Sequence, residues 1–276
     1  MNNYECNRSC FLSENSEIDV LLLAGGKGSR LKEGGICDLP KPLVAIKQGN
    51  EDIPMIENCI RGISSSLKSN LIILTSLDPE SQSDLVEDYI KKTHPCGRFS
   101  FSVENQPLGT AGAAYNALIQ RHSDVGIILP SDTLFPFVQL ENIVDNHIKN
   151  NSNITWVLTS NPGEKAQNIN KILIDKNTKR VNLDLESIYD TNLSSDIDKL
   201  IPMTSTGVVV VNRQYFIKQF DNFFEFKDYR SCDLYRQYIP KLLEERQIIN
   251  SYDIKQPAQD LGAIDRLNQF GRSGLY

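Results

Sequence analysis

Short apolar runs recur along the first half of the chain, each closed by glycine, proline or polar residues. Residues 18–24 (IDVLLLA), 71–75 (LIILT) and 125–129 (VGIIL) are continuous enough to be strands buried on both faces. Residues 99–103 alternate apolar and polar and predict a further strand, and 43–46 a short one. Between them lie stretches with helical spacing: 54–67, opening on Pro54, then 81–92, the alanine-rich 110–121, and 140–149.

Strand and helix therefore alternate, which predicts a parallel sheet with crossover helices. Ligands of such sheets bind beyond the carboxyl ends of the strands. The segments just after these strands are a glycine-rich loop from Gly25, the stretch from Glu104 to Gly112, and Asp132. The second half has another pattern. Residues 154–159, 171–175, 180–183 and 207–212 predict strands with few helices between them, hence a mixed or antiparallel extension. A helix over 233–245, a strand over 247–254 and a short helix over 264–270 complete the reading. The acidic stretch 184–199 reads as a long loop, and no internal repeat is found. The expected organisation is a disordered extension over 1–17 and one domain over 18–276, divided near residue 150.

Composition excludes several classes. Of the 276 residues, 40% are hydrophobic and 23% charged, which suits a globular core. A net charge of -6 argues against nucleic acid as a partner. The cysteines Cys6, Cys10, Cys37, Cys59, Cys96 and Cys232 form no CxxC pair, so reduced thiols are expected rather than a zinc site. No run approaches the ~20 apolar residues of a membrane span, and the polar N-terminus lacks a secretory core. A cytoplasmic protein with no membrane partner is the expectation.

The chemistry concentrates in Leu23-Ala24-Gly25-Gly26-Lys27-Gly28-Ser29-Arg30-Leu31, followed by Leu39-Pro40-Lys41-Pro42-Leu43. Glycines just after a buried strand let backbone N–H groups approach phosphate oxygens, and Arg30 and Lys41 add fixed positive charge. No GKS or GKT ends the loop, so it is not a P-loop, and Leu31 stands where a dinucleotide fingerprint has its last glycine. The pair LAGGKGSRL and LPKPL resembles the signature of the sugar-phosphate nucleotidyltransferases, or NDP-sugar pyrophosphorylases. Further stretches are similar in the family's order: Glu104 to Gly112 (ENQPLGTAG) to its base-recognition segment, Leu129 to Leu134 (LPSDTL) to the segment supplying a first metal carboxylate, and Asp260-Leu261-Gly262 to the segment supplying a second.

The resemblance implies an α/β fold: a Rossmann-like, mixed, mostly parallel sheet flanked by helices, with a small antiparallel extension on the sugar side. It implies a nucleoside triphosphate and a sugar 1-phosphate as partners, and attack of the sugar phosphate on the α-phosphorus with loss of pyrophosphate. Such a reaction rests on positioning and charge neutralisation. Carried over residue by residue, Arg30 would hold the β- and γ-phosphates and Lys41 the charge at the α-phosphate. Leu23, Ala24, Gly25, Gly26 and Gly28 would cradle the nucleotide. Glu104, Gln106, Gly109, Thr110 and Gly112 would receive the base. Asp132 and Asp260 would hold Mg2+, a hard cation suited to carboxylate and phosphate oxygens. Asp253, in Tyr252-Asp253-Ile254, is a rival for the second ligand.

The sequence also departs from the family pattern. The spacer between Arg30 and Lys41 is a residue longer than usual, and Ser131 stands where the family has glycine before the metal aspartate. No Glu-Lys-Pro segment is found for the sugar and its phosphate. Glu186 falls in that region without a following lysine, and Thr206-Gly207 stands where an Asn-Ala-Gly segment contacts sugar. Lys171 or Lys199 could supply the missing charge. The base stays open among GTP, UTP, CTP and dTTP, with GTP the first choice because PLGTAG resembles guanylyltransferases acting on mannose- or heptose-type phosphates more than the thymidylyl enzymes. A cytidylyltransferase for a non-sugar phosphate such as phosphocholine, and a non-catalytic relative, are the alternatives. No trimerising C-terminal β-helix follows Asp260, so monomer or homodimer is expected.

Overall fold

The computed structural model describes residues 18–28, 39–48, 50–97, 99–163, 171–184, 197–224 and 231–261. Strand β1 (Ile18–Leu23) lies between β4 (Asn70–Ser76) and β6 (Val125–Pro130), parallel to both, and β5 (Phe99–Glu104) adds to β4 in parallel. Along β1 the alternation divides two cores. Val20 and Leu22 enter one apolar cluster and Leu21 the other, all fully buried. Both faces must therefore be covered, as the continuous apolar runs predict.

Helices α1 (Met55–Ser66), α2 (Ser83–Thr93) and α4 (Leu140–Lys149) contribute to the core on the Val20 face. Leu140, Ile143, Val144 and His147 of α4 are buried at helical spacing. The opposite face is covered by α3 (Gly109–Leu118), α5 (Arg213–Phe223) and α6 (Ile239–Glu244), with a π-helical turn over Leu234–Tyr238 leading into α6.

Strand β11 (Leu200–Asn212) joins the two halves. It runs antiparallel to β6, to β8 (Ile154–Thr159) and to β9 (Ile172–Asp175), and β10 (Val181–Asp184) closes a hairpin with β9. The mixed extension expected for the second half is present. On its other branch, β12 (Asn250–Asp253) runs parallel to β8. Two short ladders stand apart: β2 (Ala45–Gln48) with β3 (Glu51–Pro54), and β7 (Thr133–Leu134) with β13 (Gln259–Asp260).

Several local expectations change. Residues 41–43 form a 3-10 turn and the strand begins only at Ala45, because Pro42 supplies no N–H for a ladder. The strand expected over 207–212 starts at Leu200. Helix α5 was not anticipated. Its aromatics Phe216 and Phe220 lie one turn apart and are fully buried, with Tyr115 stacked on Phe220 at 4.4 Å and Tyr238 beside Phe216 at 4.9 Å. Asn212 caps the helix by accepting from the Tyr215 N–H at 2.9 Å. The aromatic cluster is thus core, each full burial being worth roughly 1.5–3 kcal/mol. The expected helix over 264–270, the extension over 1–17 and most of the loop over 184–199 lie outside the described residues. Among the described residues no helix is long and apolar enough to cross a membrane.

Candidate active site

A cleft of about 750 Å³ opens beyond the carboxyl ends of β1, β4 and β6. The loop after β1 forms one wall, and Leu23, Ala24, Gly25, Gly26 and Gly28 all line it. The loop is tied to the sheet by the Ala24 N–H, which donates to Leu74 at 3.0 Å. Lys27, within it, reaches the next turn, with its ammonium 3.0 Å from Asp78 and 2.9 Å from Glu80. Asp78 lines the cleft as well.

The wall after β5 carries the expected base-recognition segment. Glu104 lies in the cleft, and its carboxylate accepts from the Leu108 N–H at 3.1 Å. Burial pushes the Glu104 carboxyl above its ordinary pKa, opposed by that N–H and by Ser76. Gly109 and Thr110 line the cleft, whereas Gln106 is exposed and Gly112 is buried, both away from the lining. Gly109 has φ +70°, and a Cβ there would stand 2.5 Å from the Cys232 carbonyl oxygen. The glycine thus accommodates the chain crossing at Cys232, whose carbonyl also accepts from the N–H groups of Ala111 and Gly112. The Thr110 hydroxyl donates to Asp233 at 3.2 Å and accepts from the Leu234 N–H at 2.7 Å.

The floor holds the carboxylates. Asp132, in the turn between β6 and β7, forms an ion pair with Lys41, and both side chains are largely buried. Strand β13 places Asp260 opposite Thr133, and the Leu261 N–H donates to the Asp132 carbonyl at 2.9 Å. Asp132 and Asp260, far apart in sequence, therefore line the same cleft. The rival Asp253 does not. Its carboxylate accepts from the N–H groups of Ser160 and Lys255, as a turn-capping aspartate does. Among the described residues no cluster of three or more His, Cys, Asp or Glu could cage a metal. Two carboxylates facing an open cleft suit a cation that keeps water and phosphate oxygens in its shell, which is the habit of Mg2+. The charge balance agrees. Among the described lining residues, Lys27, Lys41, Lys171 and Arg236 face Asp78, Glu104, Asp132, Asp233 and Asp260. A polyphosphate in such a cleft calls for additional positive charge.

The far wall is built by β11 and the segment before α6. At a bulge in β11, Gly207 adopts φ +75°, and the Ser205 hydroxyl accepts from both the Trp156 indole N–H and the Gly207 N–H. The Thr206 hydroxyl donates to the Val157 carbonyl at 2.7 Å, and Thr206 and Gly207 both line the cleft. Tyr235 lies beside Trp156 and donates its hydroxyl to the Gly207 carbonyl at 2.5 Å. Lys171 lines this wall; it precedes Ile172, which pairs with Met203. Lys199 lies outside the lining. Arg30 and Glu186 lie outside the described residues.

Trp156, Asp233, Tyr235 and Arg236 were not expected here. Asp233 carried a usable signal, since an aspartate just before a helical run reads as a cap, and its carboxylate does accept from the Tyr235 and Arg236 N–H groups.

A family model described as nucleotidyl transferase matches residues 19–182. Relatives include a mannose-1-phosphate guanyltransferase of Yarrowia lipolytica, 25% identical over 246 residues that cover 88% of this chain and 60% of that protein. A mannose-1-phosphate guanyltransferase of Schizosaccharomyces pombe is 34% identical over 128 residues, 45% of this chain and 33% of that one. A D-glycero-alpha-D-manno-heptose 1-phosphate guanylyltransferase of Aneurinibacillus thermoaerophilus is 26% identical over 141 residues, 51% and 57% of the two chains. The chain thus spans less than two thirds of the length of each of these relatives. A solved structure with the same fold is HddC from Yersinia pseudotuberculosis complexed with GMP-PN. Its TM-score is 0.65 at 20% identity, covering 91% of this chain and 96% of that one. Since the family model spans more than half of its length, the chain belongs to the nucleotidyl transferase family.

Proposed function

We propose that the chain joins a nucleoside triphosphate, GTP in the first instance, to a sugar 1-phosphate, giving an NDP-sugar and pyrophosphate. The observation that carries this reading is convergence. The glycine loop, Lys41, Asp132 and Asp260 come from four separate stretches of sequence and line one cleft at the carboxyl ends of parallel strands.

In the proposed reaction a phosphate oxygen of the acceptor attacks the α-phosphorus. A new oxygen–phosphorus bond forms, the bond to the β-phosphate oxygen breaks, and pyrophosphate leaves with the electron pair. Backbone groups from Leu23 to Gly28 cradle the phosphates, Lys41 stabilises charge at the α-phosphate, and Arg30 holds the β- and γ-phosphates. Asp132 and Asp260 would hold Mg2+, which supplies charge neutralisation on the triphosphate. Because Lys41 rests on Asp132, the two groups are positioned by one another before substrate arrives. Glu104, Gly109 and Thr110 form the base side, and Thr206 and Gly207 the sugar side.

Two points support guanine. The relatives named above are guanylyl enzymes acting on mannose or heptose phosphates. Glu104 presents a fixed carboxylate acceptor in the cleft, which suits the adjacent ring and amino N–H donors of guanine better than the single ring N–H of uracil or thymine.

The test is pyrophosphate release with Mg2+, across GTP, UTP, CTP, dTTP and ATP against hexose and heptose 1-phosphates and phosphocholine. Release with GTP and a sugar 1-phosphate is expected. A folded protein that binds GTP and releases nothing with any acceptor would refute the transferase reading, and release only with CTP and phosphocholine would replace it.

A further inference from the structure

The sugar-side wall lacks the family's Glu-Lys-Pro segment, yet an acceptor phosphate entering the cleft needs a cation. Of the cations lining it, Lys41 is paired with Asp132, and Lys27 with Asp78 and Glu80. Lys171 has interactions of its own. Arg236 is different: among the described residues its guanidinium makes no ion pair or hydrogen bond, although the residue lines the cleft. The nearest carboxylate in sequence, Asp233, is already committed. One of its oxygens accepts from the N–H groups of Tyr235 and Arg236, and the other accepts from Thr110.

The backbone beneath Arg236 is held at three points. Its own N–H is fixed to Asp233 at 2.8 Å, the Tyr235 hydroxyl to Gly207 at 2.5 Å, and the Leu234 N–H to Thr110 at 2.7 Å. The segment therefore spans from the base side, through Thr110, to the sugar side, through Gly207. An arginine that lines the cleft from a segment tied to both walls, its fork of donors uncommitted among the described residues, is suited to a phosphate that must meet the nucleotide.

We propose that Arg236 binds the phosphate of the acceptor sugar, in place of the absent lysine. The proposal rests on the transferase reading above and adds the residue that selects an anionic acceptor. Arg236 is solvent-exposed and its guanidinium makes no hydrogen bond or ion pair among the described residues, so its substitution is expected to leave the fold intact.

The experiment compares wild type, Arg236→Gln and Arg236→Lys, using GTP, Mg2+ and mannose 1-phosphate, with heptose 1-phosphate as second acceptor. Arg236→Gln should raise the acceptor KM at least about ten-fold, the scale of losing a charged hydrogen bond, and leave the GTP KM within about two-fold. Arg236→Lys should recover part of the loss. In parallel, calorimetry with mannose 1-phosphate, in the presence of a non-cleavable GTP analogue, should show weaker acceptor binding by Arg236→Gln. An unchanged acceptor KM, or a loss confined to GTP, overturns the assignment while wild-type turnover upholds the transferase. A wild type that binds GTP but neither sugar phosphate overturns the assignment as well, and pyrophosphate release with another acceptor class would then still be measurable.

Discussion

His147 gives a prediction whose size can be worked out. This residue of α4 is 2% exposed, with Nδ1 2.8 Å from the Thr155 hydroxyl on β8, and burial pushes its pKa down to about 4. In the unfolded chain a histidine titrates near ~6.5. Between these values the unfolded state takes up a proton that the folded state refuses. Stability therefore falls as pH drops from about 6.5 toward 4. At about 1.36 kcal/mol per unit, the full effect is on the order of 3 kcal/mol. Glu57 also contributes at acid pH. Burial raises its pKa, but His94 and Arg61 outweigh that and hold it below its ordinary value, so its contribution is lost as pH falls. A difference measurement removes it. Urea unfolding of wild type and His147→Gln at pH 7.5, 6.5, 5.5 and 4.5 should show wild type losing stability relative to the variant, by roughly 2–3 kcal/mol at the lowest pH. Parallel curves across the window would mean that the imidazole accepts its proton within the fold, and the desolvation argument would fail.

Other outcomes follow from the cleft. Lys41→Ala should fold normally and lose at least about 100-fold in turnover, the scale of one preorganised electrostatic group; near-normal turnover with an unchanged melting curve would remove Lys41 from the site. Asp132→Asn should lose the Mg2+-dependent pyrophosphate release, and wild type should stop with a chelator; activity indifferent to both would contradict the metal role. Gly109→Ala must place a Cβ against the Cys232 carbonyl at a left-handed φ. It should cost at least roughly 1–2 kcal/mol and raise the GTP KM, and a variant as stable as wild type would show that the crossing at Cys232 is not tight.

The legible parts of the molecule were those where one local rule dominates. Continuous apolar runs located β1, β4, β6 and β8, because strands buried on both faces tolerate few polar residues. Helix α4 came out with the bounds read from its spacing. The glycine loop and Asp132 were legible because they follow strands directly. The far wall was not, because its geometry is tertiary. Phe216 and Phe220 belong to a helix only because Tyr115 and Tyr238 receive them. Arg236 reaches the cleft on a segment that Thr110 and Gly207 hold from across the fold. Gln106 and Gly112 show the converse: they fall within the base-recognition segment, yet Gln106 is exposed before α3 and Gly112 is buried within it, both outside the cleft lining. The choice between Asp260 and Asp253 was likewise beyond motif fit, and strand pairing brings Asp260 alone to the cleft.

The β7–β13 ladder has a consequence for biosynthesis. The family match ends at residue 182, so everything it spans can leave the ribosome before β13 exists. A nascent chain could then assemble the parallel strands and the glycine loop, and even present Asp132, while Asp260 is still untranslated. Competence for the floor of the cleft would arrive last, through two residues closing a very long loop, the kind of non-local contact that forms late and slowly. A chain terminated between residues 182 and 260 would carry the glycine loop and Asp132 without Asp260, and so could not complete the floor of the cleft.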